Sequence, residues 1–462
     1  MKLATVILAA GKGTRMKSSR AKVLFPVAGR AMVEYPIALS QALSAERIVA
    51  VLGHQIDEVR ATIERRFGQG AVQIAEQKEQ RGTGHAVMMA EAALADFDGL
   101  VLILYGDVPL LTEALLRDLV DKAGAGTLSL VTLRLANPKG YGRIGREPGG
   151  KVARIVEEKD CTDEQRAIDE VNAGIYCLPA RFLFEALRTI TPNNAQGELY
   201  LTDVVEQASH KLHIVTVEAP EAIVQGCNDR VDVARADRVM RLRLVDELQR
   251  SGVSVRDPER CFVEPGQQIG PDTELGPNVE LRGRVTIGSN CRIEQGCVIS
   301  DSVLGDNVHV KAHCVIAEAK VGNAAMIGPF AQLRPGTDLA DEVHIGNFVE
   351  TKKTKMGRGS KANHLTYLGD ATVGQKVNVG CGTSTCHYDG YNKYETVIED
   401  GVFLGSDTAL VAPVRVGAGA ITAAGSVIVE DVPPDALAVA RGRQSNKLDY
   451  ARLRREQMQK KK

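Results

Sequence analysis

Short apolar runs, Ala4 to Leu8, Arg47 to Val51, Gly99 to Tyr105, Ser129 to Leu135 and Ile214 to Val217, punctuate the first half of the chain and alternate with helical stretches. That alternation predicts an α/β domain on a mainly parallel sheet, Rossmann-like in architecture. In such a sheet ligands bind in the crevice beyond the carboxyl ends of the strands. The segments LAAGKGTRM, from Leu8, and LYGDVP, from Leu104, fall at two of those ends. After Asn228 the texture changes to a charged stretch in which Leu242, Val245 and Leu248 recur at helical spacing up to the Ser251-Gly252 break. It predicts a helical connector.

Beyond the connector aliphatic residues return at every sixth position: Ile269, Leu275, Leu281, Ile287, Ile293 and Ile299. After a slip the register resumes through Leu304, Val310, Ile316, Val321, Ile327, Leu333, Leu339 and Ile345, and later through Leu368, Val373, Val379, Leu404 and Val416. Helices repeat near 3.6 residues and half-buried strands at 2, so a period of six predicts a parallel β-helix with three hexads to a coil. The glycines that often follow the aliphatic residue are expected to free the backbone at corners. The stretch Gly382 to Val397 breaks the period and is expected to be extruded as a loop. The organisation is therefore 1–228 for the α/β domain, 229–252 for the helical linker, 253–440 for the β-helix and 441–462 for a basic tail.

The chain has 462 residues, 44% hydrophobic and 25% charged, with a formal net charge of -1, so each half has material for its own core. That balance implies no nucleic-acid partner, and the basic run Arg452 to Lys462 reads as a solvated tail. The nine cysteines form no CxxC pair and no zinc-ligand grouping with histidine, which fits a reducing cytosol. His309 and His313 would share a metal only on a helix, and within hexads they read as stacked residues. No run is long enough to span a membrane, and the apolar start reads as a core strand.

The small residues of Leu8-Ala9-Ala10-Gly11-Lys12-Gly13-Thr14-Arg15-Met16 would let backbone N–H groups approach a phosphate, with Arg15 supplying charge. Alone the run could be a tight structural turn, since it lacks the P-loop ending and the dinucleotide spacing. It is followed in order by Lys22-Val23-Leu24, Gln80 to Ala86 and Tyr105-Gly106-Asp107-Val108-Pro109, then Gly140 to Ile144, Ile155-Val156-Glu157, Asn193 to Glu198 and Gly226-Cys227-Asn228. This set resembles the bacterial bifunctional family in which N-acetylglucosamine-1-phosphate uridylyltransferase is fused to glucosamine-1-phosphate N-acetyltransferase. The resemblance covers nearly the whole chain and implies a left-handed β-helix. It also implies that Leu8, Ala9, Ala10 and Gly11 line the nucleotide, that Arg15 and Lys22 stabilise the triphosphate, and that Gln77, Gly82 and Thr83 read the uracil. Tyr105, Gly106, Gly142, Glu157 and Asn172 would hold the sugar nucleotide, and Asp107 with Asn228 would bind Mg²⁺, a hard cation suited to oxygen donors. Taken singly, Asp107 could be a strand-end cap and Lys22 a solvated charge.

In the second half, Leu333 to Gly336, Asn347 to Lys353 and His364-Leu365-Thr366-Tyr367-Leu368-Gly369-Asp370 resemble the acetyltransferase part of the same family. An amino sugar loses a proton as its nitrogen attacks a thioester, and histidine titrates near neutrality, so His364 is the candidate general base. The resemblance assigns the sugar phosphate to Arg334 and Lys352, the sugar to Tyr367 and Asn378, and acetyl-CoA to Cys381, His387, Tyr388, Ser406, Ala424 and Arg441.

Cys381 stands where the family usually has Ala, and His387 where it usually has Asn; imidazole and amide differ in hydrogen-bond geometry. Arg20-Ala21 replaces the usual Leu-Pro, and Ala173 the usual Thr. The reading is a cytoplasmic enzyme, trimeric as such β-helices commonly are, that makes UDP-N-acetylglucosamine for the peptidoglycan and lipopolysaccharide of the cell envelope. A nucleotidyltransferase for another sugar, its β-helix used only for assembly, leaves HLTYLGD unexplained. A silent assembly subunit would be expected to have lost Asp107, Asn228, Lys22 and His364.

Overall fold

The computed structural model describes residues 1–460; the last two positions of the basic tail, Lys461 and Lys462, lie outside the described residues. The chain divides into two compact units, Met1–Arg243 and Leu244–Lys462.

The first unit is built on a nine-stranded sheet. Its path runs His213–Glu218, Thr127–Arg134, Glu170–Pro179, Leu100–Tyr105, Leu3–Ala9, Arg47–Leu52 and Gln73–Glu76. Along this path the central strands are parallel, and only Glu170–Pro179 runs against both its path neighbours. Every residue of Leu3–Ala9 is buried, as expected of a strand with both faces covered. The alternating runs gave five of these strands. A hairpin, Arg143–Arg146 with Val152–Val156, joins the sheet through Glu170–Pro179. Both strands are short and broken by arginine, so they escape a search for long apolar runs. Parallel pairing of Leu8 with Tyr105 brings the loops after Ala9 and after Tyr105 to the same edge.

One helix, Arg230–Arg250, crosses the boundary between the units. In the first unit Asp237 accepts a 2.8 Å hydrogen bond from the Ala28 amide. In the second, Val245 belongs to the buried core.

The second unit is a parallel β-helix. Most of its strands are two or three residues long, arranged in an 11-stranded sheet and a 17-stranded sheet that folds around the other faces. Residues of successive coils pair in parallel register, as in Ile293 with Val310 and Val310 with Ile327. The hexad aliphatics point inward: Leu275, Leu281, Ile299, Val310, Ile316, Ile327, Leu333, Leu368 and Leu404 are wholly buried. Burying each such side chain contributes about 1.5–3 kcal/mol, and the column of them holds the coils together.

Among the glycines that follow a hexad aliphatic, Gly328 has the expected left-handed backbone, with φ +94, while others have a different reason. Gly322 is not in the left-handed region; a Cβ there would lie 2.6 Å from the Ala340 carbonyl carbon and the Asp341 nitrogen of the next coil. Glycine is needed for close coil-to-coil approach. Left-handed backbone is carried by other glycines, such as Gly296, Gly336 and Gly419, and also by other residue types, among them Asn278, Asn290, Asn307, His313, Phe330, Phe348 and Leu365. His313, Phe330 and Phe348 stack in successive coils, with ring centroids 5.3 and 5.5 Å apart. His309 contacts Glu294 at 2.8 Å. Neither histidine belongs to a metal-binding group among the described residues. The extruded loop is shorter than expected: Ser384–Cys386 and Thr396–Ile398 are still strands of the coil. The tail carries an exposed helix, Tyr450–Gln459.

Candidate active sites

In the first unit two adjoining cavities open beyond the strand ends. One of about 310 Å³ is lined by Leu8, Ala9, Ala10, Gly11, Lys22, Gln77, Gly82 and Thr83, among others. The second, about 480 Å³, includes Arg15, Gly142, Glu157, Asn172 and Asn228. Thr83, Tyr105 and Asp107 border both. Gly106 lines neither; its amide donates to the Leu8 carbonyl at 2.9 Å. Gln80, absent from the expected set although it lies in a quoted motif, also lines the first cavity and donates to the Ala10 carbonyl at 2.6 Å.

The cavity mouth is ordered by charge. The Lys22 ammonium pairs with the Asp107 carboxylate, both mostly buried. Arg15 donates to Asn228 Oδ1 at 2.9 Å across 213 residues of sequence. Asp107 and Asn228 thus each offer a hard oxygen on one cavity wall, and each oxygen already attracts a cation. A hard divalent ion fits that donor set, with phosphate and water oxygens to complete it.

Gln77 is fixed by its amide nitrogen, 3.3 Å from the Gly82 carbonyl and 3.1 Å from His85 Nδ1. Gly82 has φ +108, and a Cβ there would meet the Leu199 carbonyl at 2.5 Å, so only glycine brings this backbone to the cavity. Asn172 is held from both sides: its Nδ2 donates to the Tyr176 hydroxyl at 2.6 Å, and its Oδ1 accepts from the Gly174 amide at 2.9 Å. Burial pushes the Glu157 carboxyl up, although Thr202 donates to it at 3.1 Å. Burial also pushes the Cys227 thiol up to about 12, so it stays protonated and is no nucleophile.

In the second unit the register assembles two groups. The first is a column at one corner. Asn347 pairs with His364 in the next coil. One coil further, the Gly382 amide donates to the Leu365 carbonyl at 3.1 Å, which sets Cys381 beside His364 along the column. The Asp407 amide donates to the Cys381 carbonyl at 2.6 Å and the Gly425 amide to the Ser406 carbonyl at 2.8 Å. Arg441 donates to the Ala424 carbonyl at 2.8 Å. His364, Cys381, Ser406, Ala424 and Arg441 therefore follow one another on successive coils, at sequence intervals that no short motif can display. Cys381 takes part in this column through its backbone.

The second group is charged. Arg334 donates to Glu350 at 2.6 Å, and Lys352 to Asp370 Oδ2 at 3.2 Å. His387 Nε2 lies 3.3 Å from that same oxygen, and its ring is 5.7 Å from that of Tyr367. Asp370 raises the Lys352 ammonium, while the Lys352 ammonium beside it lowers Lys393. Lys393, which sequence reasoning passed over, comes from the extruded loop and adds a third cation. Asn378 is half-buried, in register with Lys361 and Phe403. Tyr388 is not drawn in; its hydroxyl bonds within its own loop, to the Gly390 carbonyl at 2.5 Å.

The nucleotidyl transferase family model matches residues 4–219, and the model for the GMPPB C-terminal domain matches 258–362. Curated relatives match almost end to end. The chain is 52% identical to the bifunctional protein GlmU of Anaeromyxobacter sp. (strain Fw109-5), over 99% of this chain and 94% of that protein. It is 48% identical to GlmU of Pelobacter propionicus, over 96% of this chain and 97% of the other. For GlmU of Geobacter metallireducens the figures are 50%, 98% and 99%.

Proposed function

Because the chain belongs to the family of bifunctional GlmU proteins, we infer that it carries out both transfers that lead to UDP-N-acetylglucosamine. Acetyl-CoA acetylates glucosamine 1-phosphate; the product then takes UMP from UTP, with release of pyrophosphate. The observation that carries this reading is relatedness over nearly the full length, with residues for both steps retained in one chain.

In the first step Arg334, Lys352 and Lys393 hold the sugar phosphate, Tyr367 and Asn378 orient the ring, and acetyl-CoA lies along Cys381, Ser406, Ala424 and Arg441, with His387 and Tyr388 at its edge. His364 accepts the proton from the amine nitrogen as that nitrogen attacks the thioester carbon and CoA leaves as the thiol. In the second step a phosphate oxygen of N-acetylglucosamine 1-phosphate attacks the α-phosphorus of UTP in line, and pyrophosphate departs. Catalysis there is alignment and neutralisation by Arg15 and Lys22, with the base read by Gln77, Gly82 and Thr83 and the sugar nucleotide held by Tyr105, Glu157 and Asn172. Asp107 and Asn228 would hold Mg²⁺, which when bound draws charge from phosphate oxygens.

No helix among the described residues is long and apolar enough to cross a membrane. Free cysteines throughout support a reducing cytoplasm. Exposed Phe330, Phe348 and Leu365 follow one corner of the β-helix, apolar surface suited to subunit contacts in a homotrimer.

The test supplies purified protein with glucosamine 1-phosphate, acetyl-CoA, UTP and Mg²⁺, and follows thiol and pyrophosphate separately. Release of both supports the reading. Pyrophosphate from N-acetylglucosamine 1-phosphate without any thiol from glucosamine 1-phosphate would reassign the β-helix to assembly.

A further inference from the structure

His387 stands where the family usually has an uncharged amide, and its surroundings suit a charge. Nδ1 lies 3.4 Å from the Thr385 carbonyl oxygen and Nε2 3.3 Å from Asp370 Oδ2. Both neighbours only accept hydrogen bonds. Only the Thr385 contact is aligned as a hydrogen bond; the Asp370 contact is an approach of charge, from which a neutral imidazole gains little and an imidazolium is attracted to the carboxylate. Asp370 Oδ2 is also the partner of Lys352, at 3.2 Å. One carboxylate oxygen thus serves two cations. The other groups on this side are Tyr367, whose ring tilts against the imidazole, Lys393 beside Lys352, and the Arg334–Glu350 pair. His387 is largely enclosed, its side chain only 12% exposed.

We propose that His387 is a positioning residue whose protonation frees Lys352 for the phosphate of the acceptor sugar. With His387 charged, Asp370 is neutralised from that side and Lys352 exchanges carboxylate for phosphate at little cost. With His387 neutral, Asp370 has Lys352 as its cation, and the incoming phosphate competes with that carboxylate. The inference rests on the acetyl-transfer reading above and deepens it: acceptor affinity becomes pH-dependent through a residue that never touches the reacting atoms. His387 differs in this from His364, whose proton transfer belongs to the chemical step.

The experiment measures KM for glucosamine 1-phosphate and kcat for thiol release from about pH 5.5 to about pH 8.5, the span across which histidine ordinarily titrates. Wild type is compared with His387→Asn, which carries the residue usual in the family, and with His387→Lys, which stays charged throughout. With acetyl-CoA saturating for each protein, so that its contact with His387 drops out, and with the substrate's own amine and phosphate titrating alike in all three, the variant-to-wild-type KM ratio isolates the residue. Wild-type KM should rise toward alkaline pH by roughly three- to fivefold more than that of His387→Asn, the size of effect expected when one ion pair at a shared carboxylate is lost. His387→Lys should keep its low KM at the alkaline end, while the kcat profiles retain a common shape. A KM ratio that is constant with pH, or a His387→Lys profile that rises like wild type, overturns the proposal. Wild-type protein that releases no thiol at any pH, yet releases pyrophosphate from N-acetylglucosamine 1-phosphate and UTP, overturns the parent reading instead.

Discussion

Lys22 and Asp107 neutralise each other across two strand ends, so removing the ammonium both strips charge from the phosphate site and leaves a largely buried carboxylate unpaired. Lys22→Ala is therefore expected to lower uridylyl transfer by on the order of 10²-fold while thiol release from acetyl-CoA is unchanged, measured side by side. His364→Ala should do the converse, lowering thiol release by on the order of 10²- to 10⁴-fold and sparing pyrophosphate release from N-acetylglucosamine 1-phosphate. Both residues were legible because they stand inside runs of specific composition. Lys393 was not, because a lysine in an aperiodic loop has no signature until the loop folds it against Lys352. Asp370 stood in a quoted run, yet its service to both Lys352 and His387 is a product of coil register.

Single elements carry two further expectations. In the β-helix, a methyl group at Gly322 would meet backbone atoms of Ala340 and Asp341 at 2.6 Å, and these cannot swing aside as the nearby Asp341 carboxylate can. Gly322→Ala should destabilise the second unit by about 1–3 kcal/mol, read as a lower unfolding midpoint, with uridylyl transfer at room temperature unaffected. In the first unit, burial pushes the Asp203 carboxyl, at the start of the helix Asp203–Lys211, up to about 6, helped by Glu206 and Asp160. A carboxyl raised in the folded state contributes stability that is complete below its unfolded value and is lost as pH rises through about 6. Asp203→Asn should thus change little near pH 4 and stabilise above pH 6, by about 1 kcal/mol once the shift is discounted for solvent access. Denaturant melts at the two pH values check the sign.

At the scale of the molecule, the cores are separate: one set of buried residues fills the β-helix and two others flank the sheet. Scanning calorimetry should resolve two transitions, and Gly322→Ala should move only one of them. A chain of 49.7 kDa that assembles as proposed should sediment at about three times that mass. Substituting the exposed Phe330 and Phe348 by Ser should shift that mass toward the single chain.

The hexad period, the alternating apolar runs and the motif order determined the two folds and the two chemistries, because each is a local pattern that a side chain's burial or charge imposes on its own few neighbours. The hairpin Arg143–Arg146 with Val152–Val156 left no such pattern, since its short strands pair with each other across a tight turn and only Arg143 ties them to the sheet through Val171. The bond from Arg15 to Asn228, the column from His364 to Arg441 and the oxygen shared by Lys352 and His387 were decided by tertiary structure alone. A contact between residues one coil or two hundred positions apart depends on register and crossover, and these are fixed only when the whole core closes.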